Sequence, residues 1–294
     1  MHSFRYETVD VFTDRRFGGN PLAVFPAAVG LSSADMQALA AELNYSETTF
    51  VLPPRDPANT AQVRIFNRTY EMPFAGHPNV GTAFVLIRLG LARGPVLRFE
   101  ELAGLVDVRP TIEAGECAGA EIDAPQPLSL FERFAPADIA ACVSLPTGAI
   151  LDRTHDPVRA SVGVDFVLAE TAPEALEWAT PDLTAFRRLS ASLPHLNGRL
   201  SIFLYAADGN DIRARMFAPL AGTWEDPATG SANASLAALR LSLSDSPSLA
   251  YQAIQGVEMG RPSRLALRAW RGPDGFRASV GGGCVQVFSG RVSL

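Results

Sequence analysis

The sequence predicts an α/β (α+β) chain of two pseudo-symmetric halves, each a curved, mostly antiparallel sheet or barrel around a central helix. Three observations carry this expectation. Strand and helix signals alternate along all 294 residues. The stretch PFAGHPNVGTAF at Pro73–Phe84 and the stretch WEDPATGSAN at Trp224–Asn233 agree as [His/Asp]-Pro-x-x-Gly-[Thr/Ser]-Ala when His77 is laid over Asp226. The strand endings RIF at Arg64–Phe66 and RMF at Arg215–Phe217 also repeat, their Phe residues 151 positions apart against 149 for the motif heads. A near-constant offset over several elements is the mark of internal duplication.

The elements follow in order. Val9–Phe12 is a short β-rich run, FGGNP at Phe17–Pro21 is turn chemistry, and Leu22–Phe25 is a second strand. Ser32 or Ser33 caps a helix running to about Leu43. Glu47 lies on the short connection NYSE, followed by strands at Thr48–Leu52 and Val63–Phe66. Val80–Leu89 is apolar on nearly every face, as a helix enclosed by a domain is. The second half repeats the order: a helix at Pro181–Leu193, strands at Leu200–Tyr205 and Ile212–Phe217, then the Ala/Leu-rich helix Ala232–Leu241. Gly281–Gly283 lacks the strand–helix context of a phosphate loop and reads as a turn before a terminal strand. The halves meet near Ala114–Leu130, a segment of Gly, Pro and small residues, so the expected domains are 1–118 and 119–281.

Composition excludes several function classes. A net charge of −6 with scattered basic residues argues against a nucleic-acid partner. No apolar run is long enough to span a bilayer, and MHSFRYETVDVF lacks the basic-then-apolar layout of a signal peptide, so a cytoplasmic setting is expected. Cys117, Cys142 and Cys284 are odd in number and far apart; they read as reduced, buried thiols rather than a disulfide framework or a zinc site. His2, His155 and His195 have no ligand spacing, so no metal is expected.

The repeated loop has a chemical reading. Pro in the second place suits the first turn of a helix, where a missing N–H costs nothing. The later Gly permits close backbone approach, and Thr82 and Ser231 each offer an N–H and a hydroxyl. A helix start with free N–H donors and a partial positive charge holds anions. Two such starts facing one cleft would grip a small carboxylate. Neither loop carries a cysteine, which argues against a two-thiol racemase. Glu47 has no carboxylate counterpart in the second half, whose matching connection reads HLNGR. A single carboxylate suits one residue that takes and returns a proton. Glu71 and Glu225 read as supporting or solvent-facing groups.

FGGNPLAVF, NYSETTFVLP, MPFAGHPNVGTAF, RMFAPLAGTWEDPATGSA and IQGVEMGRPS together resemble the PhzF-like phenazine biosynthesis isomerase family, over essentially the whole chain and in order. The resemblance implies the fold of diaminopimelate epimerase and proline racemase, an active site between two halves, a homodimer and no cofactor. It also implies that a C-terminal strand, 282–294, returns to complete the first domain. By resemblance Glu47 is the catalytic acid/base, with His77, Asp226 and Ser231 lining the pocket and Gly76 beside them. His77 and Asp226 are counted with Glu47 as catalytic; Gly76, Asn79, Thr82, Gly230 and Ser231 form the expected substrate-binding set. The namesake reaction moves a proton on trans-2,3-dihydro-3-hydroxyanthranilate. Three wordings depart from the family's usual text: FNRTYEMPF, Trp224 before Glu225-Asp226, and Asp165 in GVDFVL. An isomerase of a small amino or hydroxy acid is therefore expected. A racemase or dehydratase of such an acid, or a non-catalytic binding protein, are the alternatives.

Overall fold

The structure, a computed structural model, describes residues 2–294. The chain divides into two compact units. One runs up to Asp123 and is completed by Val280–Leu294; the other is Ala124–Ser279.

The first unit contains β1 (Ser3–Val11), β2 (Asn20–Phe25), α1 (Ser33–Leu43), β3 (Glu47–Leu52), β4 (Ala61–Phe66), β5 (Glu71–Met72), α2 (Gly76–Arg88), β6 (Leu97–Glu101), β7 (Gly104–Glu113) and β8 (Glu116–Asp123). Antiparallel pairs β1–β2, β3–β4, β6–β7 and β7–β8 alternate with parallel pairs β2–β3 and β4–β6. The last strand of the chain pairs with both β1 and β8, so these strands form a closed barrel. Helix α2 fills it, packed against β1, β2, β3, β7 and β8 and buried from Gly76 to Leu86. An all-apolar helix is stable only when enclosed in this way. The enclosure is tight: a Cβ on Gly81 would stand 2.6 Å from Leu22 Cδ2 and 2.8 Å from Val11 Cγ2.

Outside this barrel α1 covers Phe4, Phe25, Phe50 and Phe66 with Met36, Leu39 and Ala40. Phe25 stacks on Phe50 at 4.9 Å between ring centres, and Phe50 meets Phe66 edge-on at 5.5 Å. Ser32 is the cap of α1, in a capping box with Asp35.

The second unit contains β9 (Ser129–Arg133), α3 (Pro136–Cys142), β10 (Ile150–Leu151), β11 (Val158–Ser161), β12 (Asp165–Thr171), α4 (Leu183–Ala191), β13 (Ile202–Asp208), β14 (Asp211–Ala218), β15 (Thr223–Asp226), α5 (Gly230–Ser242), β16 (Ser248–Gln255) and β17 (Ser263–Gly272). The pairing β12–β13 parallel, β13–β14 antiparallel, β14–β16 parallel, β16–β17 antiparallel repeats that of the first unit. Helix α5 packs against β11, β12, β16 and β17 as α2 does against its own strands. Helices α3 and α4 cover the outside, closing a core around Phe186, Leu176, Ile202 and Phe217. Asp165 is spent on a salt bridge to Arg159.

Gly281–Gly283 forms no turn. It lies within β18 (Gly275–Ser293), one continuous strand. The glycines answer to crowding: a Cβ at Gly281 would stand 2.9 Å from the Ala120 oxygen, one at Gly283 2.8 Å from the Thr13 oxygen, and one at Gly119 on β8 2.0 Å from the Gly282 oxygen. Backbones pass too closely there for side chains. Cys142 and Cys284 are buried, as expected, but Cys117 is only half-buried.

Candidate active site

In the first unit Asn44 ends α1 in the left-handed region, φ 56°. The chain turns into β3, whose first residue, Glu47, pairs with Leu22 of β2. Glu47 Oε2 lies 3.4 Å from Nε2 of His77, the second residue of α2. His77 is buried, and burial pushes its imidazole down to about 3. A neighbouring carboxylate favours the imidazolium, but at 3.4 Å the contact is longer than a normal hydrogen bond. Burial wins, and His77 is neutral at pH 7.

The start of α2 is unusual in a second way. Helix α1 is capped by Ser32 and α4 by the Asp182 side chain, whereas Ala75, before α2, provides no side-chain cap. The N–H groups of this first turn thus have no side-chain cap acceptor and carry the positive end of the helix dipole. Pro78, third in the helix, suits this first turn.

In the second unit α5 begins at Gly230, with Ser231 second, in the place His77 holds in α2. Thr229 precedes it and makes no side-chain cap; its hydroxyl donates instead to Asp226 Oδ2 at 2.6 Å. Asp226, at the end of β15, is buried. The loop between them is held by Gln255: its amide nitrogen donates to the Asp226 oxygen (2.7 Å) and to Thr229 Oγ1 (3.0 Å), and its oxygen accepts from Thr229 N (3.0 Å) and Asn233 Nδ2 (2.9 Å). Ser263 Oγ donates to the Pro227 oxygen at 2.8 Å. Gly256, φ 76°, lets the backbone pass where a Cβ would stand 2.6 Å from that same oxygen.

These positions correct the overlay of His77 on Asp226. The two thirteen-residue helices superimpose Ala75 on Thr229, Gly76 on Gly230, His77 on Ser231 and Asn79 on Asn233. Each Asn donates to the preceding residue's oxygen, Asn79 to Ala75 and Asn233 to Thr229, both at 3.0 Å. In this register Pro73 matches Pro227, so Pro227 stands before its helix rather than inside it, and Met72 matches Asp226. The slip arises in one hairpin. Arg64–Glu71 and Arg215–Glu225 are equivalent bidentate pairs, with distances of 2.6–2.8 Å. Each Arg lies over the Phe two residues on. Three extra residues sit between Phe217 and Glu225, around the short helical turn Pro219–Ala221. Glu71 and Glu225 are thus neither idle nor solvent-facing: they anchor the hairpins that lead into α2 and α5.

Within the first unit Glu47, Gly76 and His77 gather at the start of α2. Asn79 and Thr82 lie deeper and are fully buried, and Thr82 Oγ1 is 2.8 Å from Thr49 Oγ1. Within the second unit Asp226, Gly230 and Ser231 gather at the start of α5. Asn197, φ 50°, is the counterpart of Asn44, and by the strand pairing, Thr48 with Phe66 and Ile202 with Phe217, the position of Glu47 is taken by Ser201. A cavity of about 350 Å³ in the first unit is walled by Leu52, Val63, Arg64, Glu71 and Glu101; neither Glu47 nor His77 lines it. Sequence reasoning missed Gln255, Ser263 and Glu101. The first two lie in or beside the IQGVEMGRPS motif; Glu101 carries no local signal. Among the described residues no group of three or more His, Cys, Asp or Glu is placed to hold a metal ion, and no helix is long and apolar enough to cross a membrane.

Two units of repeated strand pairing, each packed on a helix whose start has no side-chain cap, give a diaminopimelate epimerase-like fold. The chain belongs to the phenazine biosynthesis-like (PhzC-PhzF) family, which it matches over residues 9–290. It is 36% identical to the trans-2,3-dihydro-3-hydroxyanthranilate isomerase of Pseudomonas aeruginosa, over 92% of this chain and 91% of that one. It is 35% identical to an uncharacterized isomerase of Mesorhizobium japonicum, over 100% of both. The crystal structure of a Bacillus anthracis phenazine biosynthesis protein of the PhzF family shares the fold, with a TM-score of 0.88 at 23% identity and 100% coverage of both chains. The protein is a small-molecule isomerase or epimerase of this family.

Proposed function

We propose that Glu47 is the acid/base of a cofactor-independent isomerisation, moving a proton on a small amino or hydroxy carboxylic acid similar to trans-2,3-dihydro-3-hydroxyanthranilate. The observation that carries this reading is the pair Glu47–His77, 3.4 Å apart at the uncapped start of α2, with Ser201, which is no carboxylate, in the equivalent place of the second unit. One carboxylate without a twin supports a shuttle. It takes the proton from C3 of the substrate, becomes the carboxylic acid, and returns the same proton to another carbon of the conjugated system. Charge and atoms balance without a cofactor. His77, neutral and buried, holds a polar substituent rather than a formal charge. The N–H groups at Gly76 are assigned to the substrate carboxylate, and the substrate-contacting roles of Asp226, Gly230 and Ser231 that the resemblance implies belong to the same proposal. Asn79 and Thr82 act behind the start of α2. The homodimer implied by the resemblance and the cytoplasmic location expected from the sequence belong to the same proposal; sedimentation equilibrium tests the first.

The test is proton NMR in D2O with dihydrohydroxyanthranilate and a panel of small amino and hydroxy acids. Wild type exchanges or converts one of them; the Glu47→Gln variant, folded by circular dichroism, does neither. Turnover retained by Glu47→Gln refutes the assignment. Inverted stereochemistry or loss of water in the product moves the protein to a racemase or a dehydratase, and binding without exchange to a non-catalytic receptor.

A further inference from the structure

In the register that superimposes Asn79 on Asn233, the position of Gln255 is taken in the first unit by Glu101. Both residues end a strand that lies parallel to the hairpin strand: Gln62 pairs with Glu100 in β4–β6, and Ala214 with Gln255 in β14–β16. Both stand next to the loop that leads into the barrel helix. Gln255 joins Asn233 directly, whereas Glu101 lies near Asn79 with both of its carboxyl oxygens buried and making no hydrogen bond. On the neighbouring turn Ala103 N donates to the Pro73 oxygen at 3.0 Å, as Ser263 Oγ donates to the Pro227 oxygen.

Gln255 works because its side chain has one donor end and one acceptor end. A carboxylate has only acceptors, so it cannot repeat that pattern; a protonated carboxylic acid can. Both carboxyl oxygens of Glu101 are out of contact with solvent. The charged groups facing it across the first-unit cavity are Arg55, Arg64, Glu71 and Glu100. Arg64 is engaged by Glu71, and Glu100 accepts from Asn59 and from the backbone of Arg55 and Asp56. On α2 the titratable neighbour is His77, which is neutral. The remaining cation, Arg55, is exposed and acts on Glu100.

We propose that Glu101 is a positioning residue that functions as a neutral carboxylic acid, bracing the loop Pro73–Ala75 and so orienting Gly76 and His77 at the start of α2. Burial pushes its carboxyl up to about 8, and the nearby Asn79 amide works only weakly against it. Glu101 is therefore protonated at neutral pH, and the brace loosens as pH passes 8. The inference rests on His77 being an active-site group, but its test does not need turnover.

Carboxyl carbons and the His77 ring are followed by NMR in wild type, Glu101→Gln and Glu101→Ala. The expected result is one carboxyl titrating near pH 8 that is missing from Glu101→Gln. The His77 ring resonances should shift between pH 7 and pH 9 in wild type, stay at their neutral-pH positions throughout in Glu101→Gln, and be displaced at all pH values in Glu101→Ala. With a substrate in hand, Glu101→Gln keeps the wild-type kcat at pH 7 and loses its decline above pH 8, whereas Glu47→Gln stays inactive throughout. A Glu101 carboxyl that titrates in the ordinary acidic range overturns the proposal. So does a Gln variant whose His77 is displaced at pH 7. Both readings are made without Glu101→Ala, should that variant fail to fold.

Discussion

Gln255→Glu changes one atom of the loop brace in the second unit and nothing in its shape. The amide nitrogen that donates to the Asp226 oxygen and to Thr229 Oγ1 becomes an oxygen. If that group ionises, two buried acceptors face a buried anion, each lost bond costing about 1–3 kcal/mol. If it stays protonated at pH 7, holding a carboxyl of ordinary pKa neutral costs about 4 kcal/mol. By either route the variant loses about 4 kcal/mol at pH 7. The sign follows from the raised carboxyl: stability is present below the unfolded value, about 4.3, and is lost as pH rises, by about 1.4 kcal/mol per unit. For a unit of this size each kcal/mol corresponds to about 2–4 °C in Tm, so the deficit is roughly 8–16 °C at pH 7 and nearly absent at pH 4.5. Thermal melting followed by circular dichroism at half-unit steps reads it directly. A deficit that is the same at pH 5 and pH 8, or none at pH 8, refutes the account of Gln255 as a donor.

Arg215→Met leaves buried Glu225 uncompensated and removes donors from the Leu176 and Ala179 oxygens, so it should cost about 3–5 kcal/mol; adding Glu225→Met recovers a good part, as denaturant titration will show. Arg64→Met, at a pair about a fifth exposed, costs clearly less in the same assay. Gly119→Ala drives a Cβ to 2.0 Å from the Gly282 oxygen, where backbone has to move, and should cost about 2–3 kcal/mol or more by the same measure. For His77 the folded value, about 3, lies below the ordinary 6.5, so the stability it brings is present above pH 6.5 and is lost as pH falls towards 3. His77→Gln should flatten that acid limb, and an unchanged limb in acid titrations of Tm would refute it.

The two-unit plan was legible because its signals are periodic: apolar runs at Val80–Leu89 and Ala232–Leu241, and Arg-x-Phe strand endings that recur at one spacing. Glu47 and His77 were legible as a pair only through motif wording, since the segments carrying them are 30 positions apart and meet through β3 and α2. The register of the repeat was misread. Pro-x-x-Gly occurs twice, but three residues added in the β14–β15 hairpin shift the second copy, and an ungapped overlay cannot see a change of hairpin length. Gly281–Gly283 was misread because the need for glycine there comes from Ala120 and Thr13, far away in sequence. Glu101 was invisible for the same reason: its neighbour is Asn79, and only the twin position of Gln255 explains it.

The final strand sets an order of events during synthesis. Every strand named for the second unit up to β17 lies between Ala124 and Ser279, so that unit has nearly all its parts before residues 280–294 are made. The first unit is different: β1 has Ser3 paired with Ser293 and Val11 with Cys284. Its barrel is open along one seam, between β1 and β8, until residues 280–294 have left the ribosome. The half that is translated first is thus the half that closes last, and Glu47 and His77 take up their final setting only when that seam is shut.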